Sequence, residues 1–241
     1  MARLPRLYVP GQPQHVILTG YAGAPAFRDE QDYKLYVECL REAAREHGAL
    51  IHGWALMPDA VHLIATPSTE ESLPLTLQAI GRRYVAAFNR RYARNGTLWV
   101  GRYRSTVFEA DSFFFLALRT VECAPVARGH AAEPGDWRWS SYRHHAGIEA
   151  SALVTDHAHI WALGNTPFER QRAWKELLET PVDELGREAL IEATVKGWLL
   201  GSDEFRARIS GEASRRVAPL KRGRPKAQRN VPKIEPAGTA R

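Results

Sequence analysis

The chain has 241 residues, 44% of them hydrophobic and 25% charged, with two cysteines and a formal net charge of +6. This is the profile of a soluble globular protein of one sizeable domain plus an appendage, and it excludes collagenous, low-complexity and disulfide-stapled classes. The longest apolar burst, "FFFLAL", is too short to cross a bilayer, and "MARLPRLYVPGQP" carries prolines where a signal peptide needs an apolar run, so a cytoplasmic protein with no membrane contact is expected.

In chain order, "QHVILTGY" (residues 14–21) is apolar and β-branched and predicts a strand. "RDEQDYKLYVECLREAAREHG" has acids in its first turn, Tyr33, Tyr36, Val37 and Leu40 at helical spacing, and Gly48 as a stop, which predicts a helix. "ALIHGWALMP" and "AVHLIATP" predict a hairpin turning at Pro58-Asp59. A second helix is expected over residues 75–91 behind Pro74, and "LWVGRYRSTVF" (98–108) reads as a fourth strand. The order β-α-β-β-α-β is the ferredoxin-like arrangement, an α+β fold with an antiparallel sheet and two helices on one face. "DSFFFLALRTVEC" predicts an extra helix capped by Asp111 or Ser112, and the Trp-rich "DWRWSSYRHHAG" closes this unit, giving boundaries of 1–148 for the sheet domain, 149–213 for a helical C-terminal region, and 214–241 for a basic tail that is expected to be disordered.

The charge is unevenly placed. From residue 214 onward there are nine Lys or Arg and one Glu, so the tail alone accounts for more than the net +6. Between residues 72 and 108, Arg82, Arg83, Arg90, Arg91, Arg94, Arg102 and Arg104 occur with no acidic residue, interleaved with Tyr84, Phe88, Tyr92, Trp99 and Tyr103. Guanidinium groups grip phosphates and aromatic rings stack on bases, so this segment points to DNA, with Trp99 and Tyr103 as the stacking candidates and core packing as their other reading. In the tail, Lys221, Arg222, Arg224 and Lys226 form "KRGRPK", which resembles an AT-hook core, whose arginines would enter an A/T-rich minor groove.

The succession "FRDEQDYKLYVECLREAAREHG", "HGWALMPDAVHLIATP", "YVAAFNRRYARNGTLWVGRYRS", "LALRTVECAPVARG" and "WRWSSYRHHAG" resembles the REP-associated tyrosine transposases of the HUH single-tyrosine superfamily. The resemblance implies a ferredoxin-like catalytic domain recognising single-stranded or hairpin DNA of repetitive palindromes. It also implies a divalent metal, Mg²⁺ or Mn²⁺, held by a His-hydrophobic-His strand motif and a polar residue on a helix, and a tyrosine that attacks a DNA phosphate. Such chemistry needs charge neutralised on the phosphoryl oxygens and a nucleophile that can leave again, which a phenol does far better than an alkoxide.

Position by position, this chain departs from that pattern. The first histidine falls on Ala60, leaving only His62; the tyrosine falls on Thr120; the polar residue one turn later falls on Ala124; the histidine before Leu-Trp falls on Thr97. The resemblance therefore implies a DNA-binding protein of the transposase family with its catalytic centre lost, a homodimer being compatible with it. Three rescues stay open: Thr120 as nucleophile, a relocated Tyr84, Tyr92 or Tyr103, and a metal held by His52, His62 and Glu122. The last would sustain a metal-dependent single-strand nickase or transposase with a rearranged site. A third reading makes the helical half a protein-binding remnant.

Overall fold

A computed structural model describes residues 5–213 and 215–219; Lys221, Arg222, Arg224 and Lys226 lie outside the described residues. Four strands, β1 (Gln14–Thr19), β2 (Ala49–Met57), β3 (Ala60–Pro67) and β4 (Arg104–Val107), form one antiparallel sheet in the order β2-β3-β1-β4. Two helices connect them, α1 (Glu30–His47) between β1 and β2 and α2 (Ser72–Arg91) between β3 and β4, which is the ferredoxin-like order expected.

Local chemistry explains these boundaries. The Asp29 carboxylate accepts from the backbone N–H groups of Gln31 and Asp32 at the start of α1, and Gly48 ends it at φ 69°, a left-handed conformation suited to glycine. A Cβ there would also lie 2.3 Å from Ser68 Oγ. Strand periodicity then splits the side chains: Val16, Leu18, Val61, Leu63 and Ala65 face α1 and α2, where Tyr36, Leu40, Ile80, Tyr84 and Phe88 complete the first core.

The opposite face of the sheet is also covered. Helix α3 (Ala110–Glu122) lies there, followed by α4 (Ala124–Ala127) and α5 (Tyr142–His145), then α6 (Ala158–Trp161), α7 (Pro167–Glu179), α8 (Glu184–Lys196) and α9 (Asp203–Glu212). Ala55 and Ile64 from the sheet share a second core with Phe114, Leu118 and Val121 of α3, Ile160 of α6, Trp174 of α7 and Leu190 of α8. The helical region expected over residues 149–213 thus continues the sheet domain's own core.

Three expectations need correction. The fourth strand is only Arg104–Val107, because residues 98–103 turn through Gly101 at φ 64° and touch β1's end through the isolated Gly20 to Trp99 bridge. The cap of α3 is Glu109, to which Ser112 Oγ donates at 3.1 Å, in place of Asp111 or Ser112. Helix α2 starts at Ser72, so Pro74 sits inside its first turn, where it sacrifices no intrahelical hydrogen bond. Among the described residues no helix is long and apolar enough to cross a membrane.

Candidate active site

Ala60, His62 and Ile64 alternate with the residues of the first core and so face α3 and α8. Opposite them, one turn apart on α3 and α4, stand Thr120 and Ala124. The structure thus brings Ala60, His62, Thr120 and Ala124 to one place. His62, Thr120 and Ala124 line a cavity of about 450 Å³, walled further by Ile17, Leu116 and Ile191.

The four motif positions are poor in metal ligands and nucleophiles, although Cys123 and Glu184 also line the cavity. Ala60 and Ala124 pack with Met57 in a small buried apolar cluster. Thr120 is buried, and its hydroxyl donates at 2.7 Å to the carbonyl oxygen of Leu116, one turn back. That bond commits the hydroxyl proton to the helix backbone. No tyrosine lines the cavity among the described residues.

His62 is the remaining ionisable group of the motif. It is 5% exposed, and neither ring nitrogen has a protein hydrogen-bond partner. Burial, and after it the nearby Arg128 guanidinium, pull its pKa down to about 3. It is therefore a neutral imidazole at physiological pH. The other histidine near it is His15, on the adjacent strand, with ring centroids 5.5 Å apart. Thr194 Oγ1 donates to Leu190 O, so it accepts at 2.8 Å from His15 Nδ1, leaving His15 Nε2 without a partner. Burial, then His62, hold the His15 pKa well below the ordinary value. Helix α8 closes over both rings.

Geometry bears on each of the three rescues. His52 spends Nδ1 on Thr155 O at 2.7 Å and Nε2 on Thr66 Oγ1 at 2.9 Å. Glu122 is fully buried and receives Ser141 Oγ and His145 Nδ1, both at 2.6 Å, and Trp174 Nε1 at 3.0 Å. His52, His62 and Glu122 therefore belong to three separate environments and form no metal set. Tyr84 donates to Ala26 O at 2.6 Å, Tyr92 donates to Asp32 at 2.8 Å, and burial raises both phenols, Tyr92 to about 12. Tyr103 is likewise pushed up to about 12 by burial. None of these is an activated nucleophile. The metal that the family resemblance implies is not matched at the motif positions, since Ala60 and Ala124 offer only carbon where donors are needed; the other donors near His62 are His15 on the adjacent strand and Cys123 and Glu184 of the cavity wall.

The arginine island divides. Arg83 pairs with Glu42, and Arg91 pairs with Asp29 and Asp32, so α1 neutralises part of the charge that looked uncompensated along the chain. Arg94 lies 5.6 Å over the Phe88 ring. Trp99 is a core residue, 8% exposed, packed near Phe27 and Tyr36, and is not available to stack on a base. Arg82, Arg90, Arg102 and Arg104 are exposed and have no ion-pair partner among the described residues.

Arg102 and Arg104 join a cleft that window counting missed. It holds about 150 Å³ between β4 and the end of α8, and its lining includes Arg6, Arg102, Arg104, Lys196 and Arg215, with Tyr103 between them and no acidic residue. Arg6 lies 4.0 Å over the Tyr103 ring. Val195 lines both this cleft and the apolar cavity, so the two are neighbours. Arg6, Lys196 and Arg215 are separated from Arg102 by about a hundred residues each way, and nothing in their local sequence signals that they meet.

Comparison with known proteins bears on the sheet domain. Residues 10–114 match the family described as "Transposase IS200 like". Among solved structures, a REP-associated tyrosine transposase bound to a REP hairpin matches with a TM-score of 0.53 at 14% identity, over 65% of this chain and 93% of that one. A candidate transposase from Deinococcus radiodurans R1 is 27% identical over 46% of this chain and 90% of that one, with a TM-score of 0.35. No curated protein matches the chain. From β1 to the start of α3, this chain is thus similar to the IS200-like transposase family.

Proposed function

We propose that this protein binds single-stranded or hairpin DNA through the basic cleft beside β4 and does not cut it. The observation that carries the binding half is the meeting of Arg6, Arg102, Arg104, Lys196 and Arg215 around one depression without a carboxylate in its lining. Lys196 is already paired with Glu192, but Arg102 and Arg104 are exposed without an ion-pair partner among the described residues, and a phosphate backbone supplies a row of anions to face them. The relative bound to a REP hairpin makes hairpin DNA the natural first ligand to try. Arg82 and Arg90 on α2 would add long-range attraction, and the tail residues Lys221, Arg222, Arg224 and Lys226 a second contact with A/T-rich duplex.

The non-cutting half rests on Thr120 and Ala124 lining one pocket with the neutral His62, and on Ala60 packing against Ala124 beside it. The rival reading, a metal-dependent nickase with a rearranged site, would need a nucleophile there and a metal held by His62 with Cys123 or Glu184, which line the same pocket.

Fluorescence anisotropy with a labelled REP-type hairpin tests the binding half. The double substitution Arg102→Glu, Arg104→Glu should weaken binding at least about tenfold near 0.1 M salt and flatten the log–log salt slope by roughly 1.5 to 2. Arg83→Ala, which breaks only the Glu42 pair, should leave affinity within about twofold. Equal weakening by both variants would place the DNA on α2 instead.

A further inference from the structure

We propose a metal site, separate from the motif positions on β3 and α3, for Zn²⁺ or a similar imidazole-seeking divalent ion, formed by His144, His145 and Asp156 where α5 meets the segment before α6. One donor atom from each of these residues lies within 4.8 Å of the others. Asp156 Oδ1 is 3.3 Å from His144 Nε2 and 3.7 Å from His145 Nε2. Donors bound to one tetrahedral zinc at about 2.0–2.1 Å stand about 3.3 Å apart, so both Asp156 distances are near that value, and the two imidazole donors, within 4.8 Å of each other, close by at most about 1.5 Å.

The surroundings are those of a prepared ligand set. The His145 ring is 5% exposed; its Nδ1 donates to the Glu122 carboxylate at 2.6 Å, and its Nε2 has no protein partner and faces Asp156. A carboxylate behind the far nitrogen of a histidine fixes the tautomer and raises the basicity of the nitrogen that meets the metal. Glu122 is itself held by Ser141 and Trp174. His144 requires one adjustment. Its Nδ1 accepts from the Ser151 N–H at 3.1 Å, so its Nε2 carries the proton that points at Asp156. Binding moves that proton to Nδ1 of the same neutral ring, which costs the Ser151 hydrogen bond and no net charge.

The three residues also line a cavity of about 210 Å³ with Arg170, Gln171 and Trp174, which leaves a fourth coordination position open to water or a small anion. Imidazole ligands favour zinc, cobalt or nickel over magnesium, so this site differs in chemistry as well as place from the one the family resemblance implies. Its occupant would fasten α5 to the chain entering α6 and, through Glu122, to α3 and α7.

The test is a titration of the tag-free, chelator-stripped full chain with Co²⁺ and then Zn²⁺, read by visible absorption and thermal melting. One Co²⁺ per chain should bind, with ligand-field bands that Zn²⁺ erases, and Zn²⁺ should raise the Tm. Asp156→Asn, which keeps the side-chain shape, should weaken binding at least about 100-fold, while His62→Leu should leave it unchanged. His144→Gln, at a half-buried position, provides a second variant should Asp156→Asn melt early, and should also lose the Co²⁺ bands. Absence of stoichiometric Co²⁺, unchanged affinity in Asp156→Asn and His144→Gln, or loss of binding in His62→Leu would each overturn the assignment.

Discussion

Thr120 does more for the helix than for any substrate. Its hydroxyl bonds back to Leu116 O, and the residue one turn on, Ala124, fills space against Ala60 and Met57. His62 beside them is an imidazole that folding keeps neutral. Its pKa is about 3 in the fold against 6.5 unfolded, so below pH 6.5 the unfolded chain binds the extra proton, and stability falls as pH drops through that window. At pH 5 the penalty is about 2 kcal/mol for this group. Urea unfolding of wild type and His62→Leu at pH 7.5 and 5.0 should show the smaller pH loss in the variant; identical losses would mean that His62 is solvated. At this scale the sequence was informative about position and silent about partnership. Ala60, Thr120 and Ala124 could be aligned on the motif, whereas the His15 to Thr194 bond and the Glu122 to His145 bond join residues far apart in the chain.

Helices α3, α7 and α8 decide what the second face of the sheet can do. Glu122 at the end of α3 ties Ser141, His145 of α5 and Trp174 of α7 together through three hydrogen bonds to one buried carboxylate. Arg119 beside it donates to the carbonyl oxygens of Leu178 and Thr180, which end α7. Glu122→Gln should therefore cost about 2–4 kcal/mol, because an amide replaces an acceptor with a donor facing other donors. A shift in urea midpoint without a change in m-value would register it, and a cost under about 0.5 kcal/mol would contradict the network. The elements themselves were readable from periodicity: β1, the β2–β3 hairpin at Pro58-Asp59, and α1 between Asp29 and Gly48 all lie where alternation and capping put them. The fourth strand was overextended because aromatic and β-branched residues at 98–103 look like strand, and only pairing with β1 shows where the ladder stops. Trp99 was misread for a related reason, since composition does not distinguish a ring that stacks on a base from one that fills a core.

Across the whole molecule the same limit applies to charge. Counting along the chain found seven arginines without an acid, yet three carboxylates from α1 and its cap come back in space to pair with two of them. A second group of basic side chains gathers where the N-terminal segment, β4, the end of α8 and Arg215 converge, while Arg82 and Arg90 stay exposed on α2. That cleft and the cavity share Val195 in the last turn of α8, so DNA held in the cleft would lie next to the pocket lined by His62, Thr120 and Ala124. The most direct test is to incubate the wild-type chain with a 5′-labelled hairpin single strand and Mn²⁺ and to run the products on native and denaturing gels, beside the Ala60→His, Thr120→Tyr, Ala124→Asn variant. The account predicts a wild-type shift on the native gel and an intact, unattached strand on the denaturing gel. A cleaved strand or a covalent protein–DNA adduct from the wild type would contradict it.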